Sequence, residues 1–200
     1  MYKVVYEVFM EMQVGARHEV VIGVVSDSHL PDRCDRLPET LLPSLKALKP
    51  DVILHAGDVV TPNVINLFEE VAPVVMVRGN RDIFFFPHVP RTKELYINDV
   101  MITMLHGHAH MFHYLINKVR YLLFQYRLKW FLPTILQEGE GADVIVYGHT
   151  HRPMNEVRDG QLLFNPGSVT ISPGPGIPLS YGVLKISESG ELISEIVEIL

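Results

Sequence analysis

Residues 20–29 read VVIGVVSDSH, an apolar run from Val20 to Val25 that breaks into Ser26-Asp27-Ser28-His29. A continuous run rich in Val and Ile, rather than an alternating one, marks a strand buried on both faces. The same arrangement recurs along the chain. Val52–Ala56 runs into Gly57-Asp58, and Val74–Val77 into Arg78-Gly79-Asn80-Arg81-Asp82. Val100–Leu105 runs into His106-Gly107-His108, and Val144–Tyr147 into Gly148-His149-Thr150-His151. In open α/β sheets, ligands bind beyond the carboxyl ends of the strands. Strands pointing the same way would therefore gather these polar residues in one place. The glycines leave room for tight turns and close backbone approach.

Between the early strands lie helix candidates, Glu39–Leu48 ahead of Pro50 and Asn63–Val71 behind Pro62. Proline suits the first turn of a helix and ends one that precedes it. The order strand, helix, strand, helix, strand predicts βαβ units, followed by a strand-rich half with strands near Leu162–Phe164, Tyr181–Ile186 and Ile193–Ile199. The Pro/Gly cluster Ser172–Pro178 reads as a loop. The class is α/β (α+β by some schemes), and a single domain over 1–200 is expected. Residues 1–19 form an N-terminal extension. Residues 111–136 form a helical, aromatic and basic insertion, apolar on too many sides for a lone surface helix, so it packs on the body or on a partner, with a homo-oligomer as one outcome.

Composition narrows the function classes. The single cysteine, Cys34, excludes an internal disulfide framework and a cysteine-based zinc knuckle. No apolar run approaches the roughly 20 residues of a membrane span. Glu7 and Glu11 interrupt the apolar N-terminus, which argues against a secretory signal and predicts a cytoplasmic protein. The net charge of −6 lacks the basic footprint of a protein that grips long nucleic acid, so stable DNA binding is not expected. The charge is uneven, however. No acidic residue falls between Asp99 and Glu138, a stretch that holds Lys118, Arg120, Arg127 and Lys129. These four read as a solvated helix face, with a substrate-attracting patch as the minority alternative.

The residues at the strand ends are two aspartates, one asparagine and four histidines: Asp27, His29, Asp58, Asn80, His106, His149 and His151. Hard oxygen mixed with borderline nitrogen suits Mn²⁺, Fe, Zn²⁺, Ni²⁺ or Co²⁺ better than Ca²⁺ or Cu(I). Seven donors are too many for one tetrahedral ion and suit two ions sharing a carboxylate. Two ions about 3.5–4 Å apart clamp the attacking and leaving oxygens of a displacement at phosphorus, and they make hydroxide available near neutral pH. Taken singly, these residues have plainer readings. Asp27 or Asp58 serves as a helix cap, and Asn80 as a left-handed turn residue. His55, inside an apolar strand, reads as a satisfied core histidine or one that supports a ligand. His110 and His113 read as ordinary helix positions. Asp82 either orients a histidine or pairs with Arg81.

Together the motifs resemble the calcineurin-like metallophosphoesterase family, in particular its small YfcE-like phosphodiesterase branch. The matching blocks are Asp27-Ser-His29, Gly57-Asp58, Gly79-Asn80-Arg81-Asp82, His106-Gly-His108 and Gly148-His149-Thr-His151, with Asn165-Pro-Gly-Ser168 as a further turn. The resemblance covers roughly residues 20–190. It implies a two-layer mixed β-sandwich flanked by helices, with two divalent transition-metal ions, Mn²⁺ foremost. By position, Asp27, His29 and His151 would hold the first ion, Asn80, His106 and His149 the second, and Asp58 would bridge them. Arg81 stands where many members carry a histidine that protonates the leaving group. Arginine cannot give up a proton near neutral pH, but it can hold a phosphate oxygen. With Asn80 also catalytic and His108 as a replacement acid, the expected activity is hydrolysis of a small or nucleotide-like phosphodiester. The alternatives are a non-catalytic scaffold of the same fold, a nuclease or a phosphomonoesterase.

Overall fold

The computed structural model describes residues 18–108 and 128–200, so the readings of 1–17 and of 109–127, including His110, His113, Lys118, Arg120 and Arg127, lie outside it. The first sheet contains β1 (Val20–Val25), β2 (Val52–His55), β3 (Val74–Met76), β9 (Ser180–Ile186) and β10 (Leu192–Glu198), in the order β10-β9-β1-β2-β3. The second contains β4 (Thr92–Ile97), β5 (Val100–Leu105), β6 (Val144–Tyr147), β7 (Met154–Arg158) and β8 (Gln161–Asn165), in the order β4-β5-β6-β8-β7. Both are mixed. β1, β2 and β3 run parallel, as do β5, β6 and β8, while the remaining pairings are antiparallel.

The inner faces of the sheets close on one core that includes Ile22, Val24, Leu54, Ile102, Val146 and Phe164. On the outer face of the first sheet, α1 (Leu41–Leu48) and α2 (Pro62–Glu69) lay Leu41, Leu45, Val64 and Phe68 against Val25, Ile53 and Val183. On the outer face of the second, α3 (Leu132–Glu138) and the 3₁₀ turn before it bring Ile135 and Phe131 against Leu105, Ile145 and Tyr147. Central strands are therefore covered on both faces. That is why their sequences are apolar runs rather than alternations. None of the described helices is long and apolar enough to cross a membrane.

The expected strands and helices are present with ends shifted by a residue or two. Two strands were not expected, β4 and β7, and both are sheet edges. β4 alternates buried and exposed positions toward its end, and the middle of β7 (Asn155–Val157) is exposed, so neither carries an apolar run. Their turns did carry a signal. Asn98-Asp99 joins β4 to β5, and Asp159-Gly160 joins β7 to β8, all four residues at positive φ. Such two-residue turns of the mirror-image type favour Asn, Asp and Gly because both central residues need positive φ.

Candidate metal centre

The carboxyl ends of both parallel sets meet at one edge of the sandwich. Strand β1 delivers Asp27 and His29, β2 delivers Asp58, and the segment after β3 delivers Asn80. From the other sheet, β5 delivers His106, and the turn after β6 delivers His149 and His151. Asp27, His29, Asp58 and His106 are all buried. Five of these seven residues have left-handed backbones: Asp27 (φ 55°), His29 (49°), Asp58 (56°), His149 (66°) and His151 (56°). Non-glycine residues in that region cost on the order of 1–3 kcal/mol each and persist where the surroundings over-determine them.

Two groups of donor atoms emerge, Asp27 with His29 and His151, and Asp27 with Asp58 and His106, each with its atoms within 4.8 Å of one another. Asp27 Oδ1 lies 3.3 Å from His151 Nε2, 3.6 Å from His29 Nε2 and 4.0 Å from His106 Nε2. Asp58 turns one oxygen toward each group, Oδ1 at 3.5 Å from His106 Nε2 and Oδ2 at 3.7 Å from His29 Nε2. His149 stands beside the second group, its ring centroid 5.1 Å from that of His106.

Several buried polar atoms on these seven residues have no hydrogen-bond partner among the described residues: Asp27 Oδ1, His29 Nδ1, Asn80 Oδ1 and His106 Nε2. A buried donor or acceptor without a partner calls for an explanation such as an ion. The histidine tautomers point the same way. His106 Nδ1 donates to the Ala56 carbonyl at 2.7 Å, and His151 Nδ1 to the Ile171 carbonyl at 3.2 Å. Each Nε2 is thereby turned inward as a donor to a cation, the arrangement in which a backbone carbonyl orients a ligating imidazole. The residues present fit a divalent metal ion.

Charges reinforce the fit. Burial alone would push His106 down, but Asp58 and Asp27 raise it to about 10. Burial opposes ionisation of Asp58, yet His106 beside it brings it down to about 2. Asp27 is likewise held well below its usual range by His151 and His29 despite burial. His149 falls to about 3 through burial and the charge on His106.

A second ring of residues holds these in place. Asp27 Oδ2 accepts from Ser26 Oγ (2.6 Å) and from the His149 N–H (3.0 Å). The Asp27 carbonyl accepts from Ser168 Oγ and Thr170 Oγ1, both at 3.0 Å. Asn165, at the end of β8, donates from Nδ2 to the Gly148 carbonyl (2.9 Å) and to Thr150 Oγ1 (3.1 Å), securing the turn that carries His149 and His151. Ser26 and Thr170 were missed by sequence reasoning, since single hydroxyls carry no spacing signal. Two glycines permit the approach. A Cβ on Gly79 would sit 2.2 Å from Asp58 Oδ1, and one on Gly148 would sit 2.0 Å from Ser26 Oγ.

His55 is buried and closes this layer. The Gly57 N–H donates to its Nδ1 (3.2 Å), so Nε2 carries the proton toward Ser28 Oγ (2.8 Å). Burial lowers His55 to about 3 and keeps it neutral. Asp82 does neither thing expected of it. Its carboxylate accepts the backbone N–H groups of Asp58, Val60 and Gly79. Asp58 caps no helix, because α2 begins after Thr61. Arg81 donates its backbone N–H to Asp58 Oδ1 (2.8 Å), while its guanidinium pairs with Asp32, a partner the sequence did not indicate. His108 is buried with Nδ1 unpartnered, its ring centroid 5.3 Å from that of His106.

Comparison with known proteins agrees with this geometry. The profile described as "Calcineurin-like phosphoesterase superfamily domain" matches residues 20–189. A probable metallophosphoesterase of Methanocaldococcus jannaschii, MJ0623, is 35% identical over 181 residues, covering 90% of this chain and 82% of the relative. Phosphodiesterase YfcE of Escherichia coli K12 is 30% identical over 178 residues, covering 86% of this chain and 74% of that one. Among solved structures, wild-type Vps29 of Entamoeba histolytica complexed with zinc superposes with a TM-score of 0.66 at 22% identity, over 89% of this chain and 98% of that one, a likeness of fold. The chain belongs to the calcineurin-like phosphoesterase superfamily.

Proposed function

We propose that the protein is a binuclear-metal-dependent phosphodiesterase acting on a small or nucleotide-like phosphodiester. The observation that carries this reading is the pair of donor groups drawn from both sheets, Asp27 with His29 and His151 and Asp27 with Asp58 and His106, with the buried Asp27 Oδ1 and His106 Nε2 unpartnered among them. Asp27, His29 and His151 would hold one ion. Asn80, His106 and His149 would hold the other, and Asp58, with one oxygen toward each group, would be shared. Mn²⁺ is the first candidate, with Ni²⁺, Zn²⁺, Fe and Co²⁺ behind it. When bound, such ions supply ionised water near neutral pH and electrostatic clamping of phosphoryl oxygens.

The chain's own residues do the rest. Asn80 would turn its amide toward the phosphoryl group as well as toward an ion. Asp32 holds the Arg81 guanidinium at the rim, where a further N–H edge can meet a phosphoryl oxygen through a charge-assisted bond. His108, whose ring lies 5.3 Å from that of His106, would use its unpartnered nitrogen to hydrogen-bond an oxygen of the ester. Position 81 holds no group that can deliver a proton to a leaving alkoxide, and the similarity to phosphodiesterase YfcE favours diesters.

The test is to strip the protein of metal, restore Mn²⁺, Ni²⁺, Zn²⁺ or Mg²⁺ singly, and compare hydrolysis of a chromogenic diester with that of its monoester, with Asp58→Asn as the blank. Metal-dependent diester cleavage absent from the variant is expected. Monoester preference would overturn the assignment to diesters. Two bound ions without turnover would favour a scaffold of the same fold.

A further inference from the structure

Immediately beyond Asn80, the chain exposes Ile83, Phe84 and Phe85, with Phe84 at 89% and Phe85 at 57% of full exposure. Mobility does not explain this, because the loop is anchored on all sides. Asp82 before it and Phe86 after it are buried, and the Phe86 N–H closes one turn on the Asp82 carbonyl at 2.8 Å. Arg78 bonds the Pro87 carbonyl from its side chain and the Pro90 carbonyl from its backbone, both at 2.8 Å. Two phenylalanines are thus presented to water by a pinned turn. Four peptide steps separate Phe84 from Asn80, so their Cα atoms lie within about 15 Å. Large exposed apolar side chains beside a functional site mark recognition.

We propose that Phe84 and Phe85 form a stacking platform for the planar aromatic part of the substrate, so that the ester carries a nucleobase or another aryl group. The inference rests on the phosphoesterase reading above and names the substrate class of that same site. A phosphoryl group held among the metal donors and Arg81 leaves the rest of the ester free to extend toward the turn that follows Arg81 in the chain. Bases stack on aromatic rings without sequence preference, because every base offers a π-face. Neither ring supplies a hydrogen bond, so the platform selects for a ring and not for a particular base.

The experiment is calorimetric binding to the Mn²⁺-loaded full chain of two probes that differ only by the base, adenosine 5′-monophosphate and ribose 5-phosphate. The wild type should bind the nucleotide about tenfold more tightly. Phe84→Ala with Phe85→Ala should bring the two to parity while ribose 5-phosphate binding stays unchanged. Phe84→Leu with Phe85→Leu, which keeps apolar bulk and guards against a folding defect, should do the same. Equal binding of both probes by the wild type, or equal weakening of both in the variants, overturns the platform and leaves the phosphoesterase reading standing. Binding of neither probe, with no cleavage of the chromogenic diester, overturns both.

Discussion

The carboxylate of Asp82 accepts the backbone N–H of Asp58 at 2.8 Å. It also takes the N–H groups of Gly79 (2.7 Å) and Val60 (2.8 Å), so one side chain ties the segment after β2 to the segment after β3. Val60 sits at φ 82°, rare for a β-branched residue, and Asp58 at 56°. In Asp82→Asn, an amide NH₂ must face at least one of these donors. The variant should lose about 2–3 kcal/mol of stability by denaturant titration and bind metal more weakly. Unchanged stability would mean that the backbone holds its conformation without Asp82.

The metal-free protein should be most stable near pH 6.5 and lose stability on both sides. On the acid side, His149 and His55 have folded values of about 3 against 6.5 unfolded. The unfolded chain then binds more protons, so stability falls as pH drops from 6.5 toward 3. Asp58, at about 2 against 3.8, extends that loss below pH 4. On the alkaline side, His106 at about 10 contributes stability that is complete below 6.5 and lost as pH rises toward 10. Melting temperature against pH, measured with chelator present, reads this directly. A plateau from pH 6.5 to 10 would contradict the alkaline limb.

Metal loading should release protons. His106 is protonated at neutral pH in the free protein, and a cation takes the Nε2 lone pair only after that proton leaves. Apparent affinity should therefore rise about tenfold per pH unit between pH 7 and 9 for each proton displaced. Calorimetric titrations in buffers of differing ionisation enthalpy count those protons. A pH-independent affinity would show that His106 is not a ligand.

Asn165→Ala should weaken metal binding without touching a donor. The substitution removes the bonds to the Gly148 carbonyl and Thr150 Oγ1, freeing the turn whose His149 and His151 have positive φ. Loss of support behind a ligand typically costs about 10–100-fold in affinity. Metal content after dialysis checks this, and a variant that keeps its full complement of metal would place the restraint elsewhere.

Much of this was legible in the sequence because the central strands are buried on both faces and end in polar residues. Val20–Val25 followed by Asp27 and His29 is a local statement, and so is Val144–Tyr147 followed by His149 and His151. The edge strands β4 and β7 were not, since Asn155, Glu156 and Val157 face water and leave no apolar period. Contacts across long separations were equally silent. Nothing near Arg81 in the chain indicates that Asp32, 49 residues away, holds its guanidinium. Asp82 looked like a partner for a side chain, and only the fold shows three backbone N–H groups converging on it.

The first donor group draws His29 and His151 together across 122 residues of chain. A growing polypeptide can form β1, α1 and β2 long before His151 has been synthesised. During all that time Asp27, His29 and Asp58 are without the imidazole of His151. The centre is thus completed late in synthesis, when the second sheet arrives, and a product broken off ahead of residue 151 carries the motif of a phosphoesterase without its first group. In this chain, metal occupancy of that group reports that both halves have been made and joined.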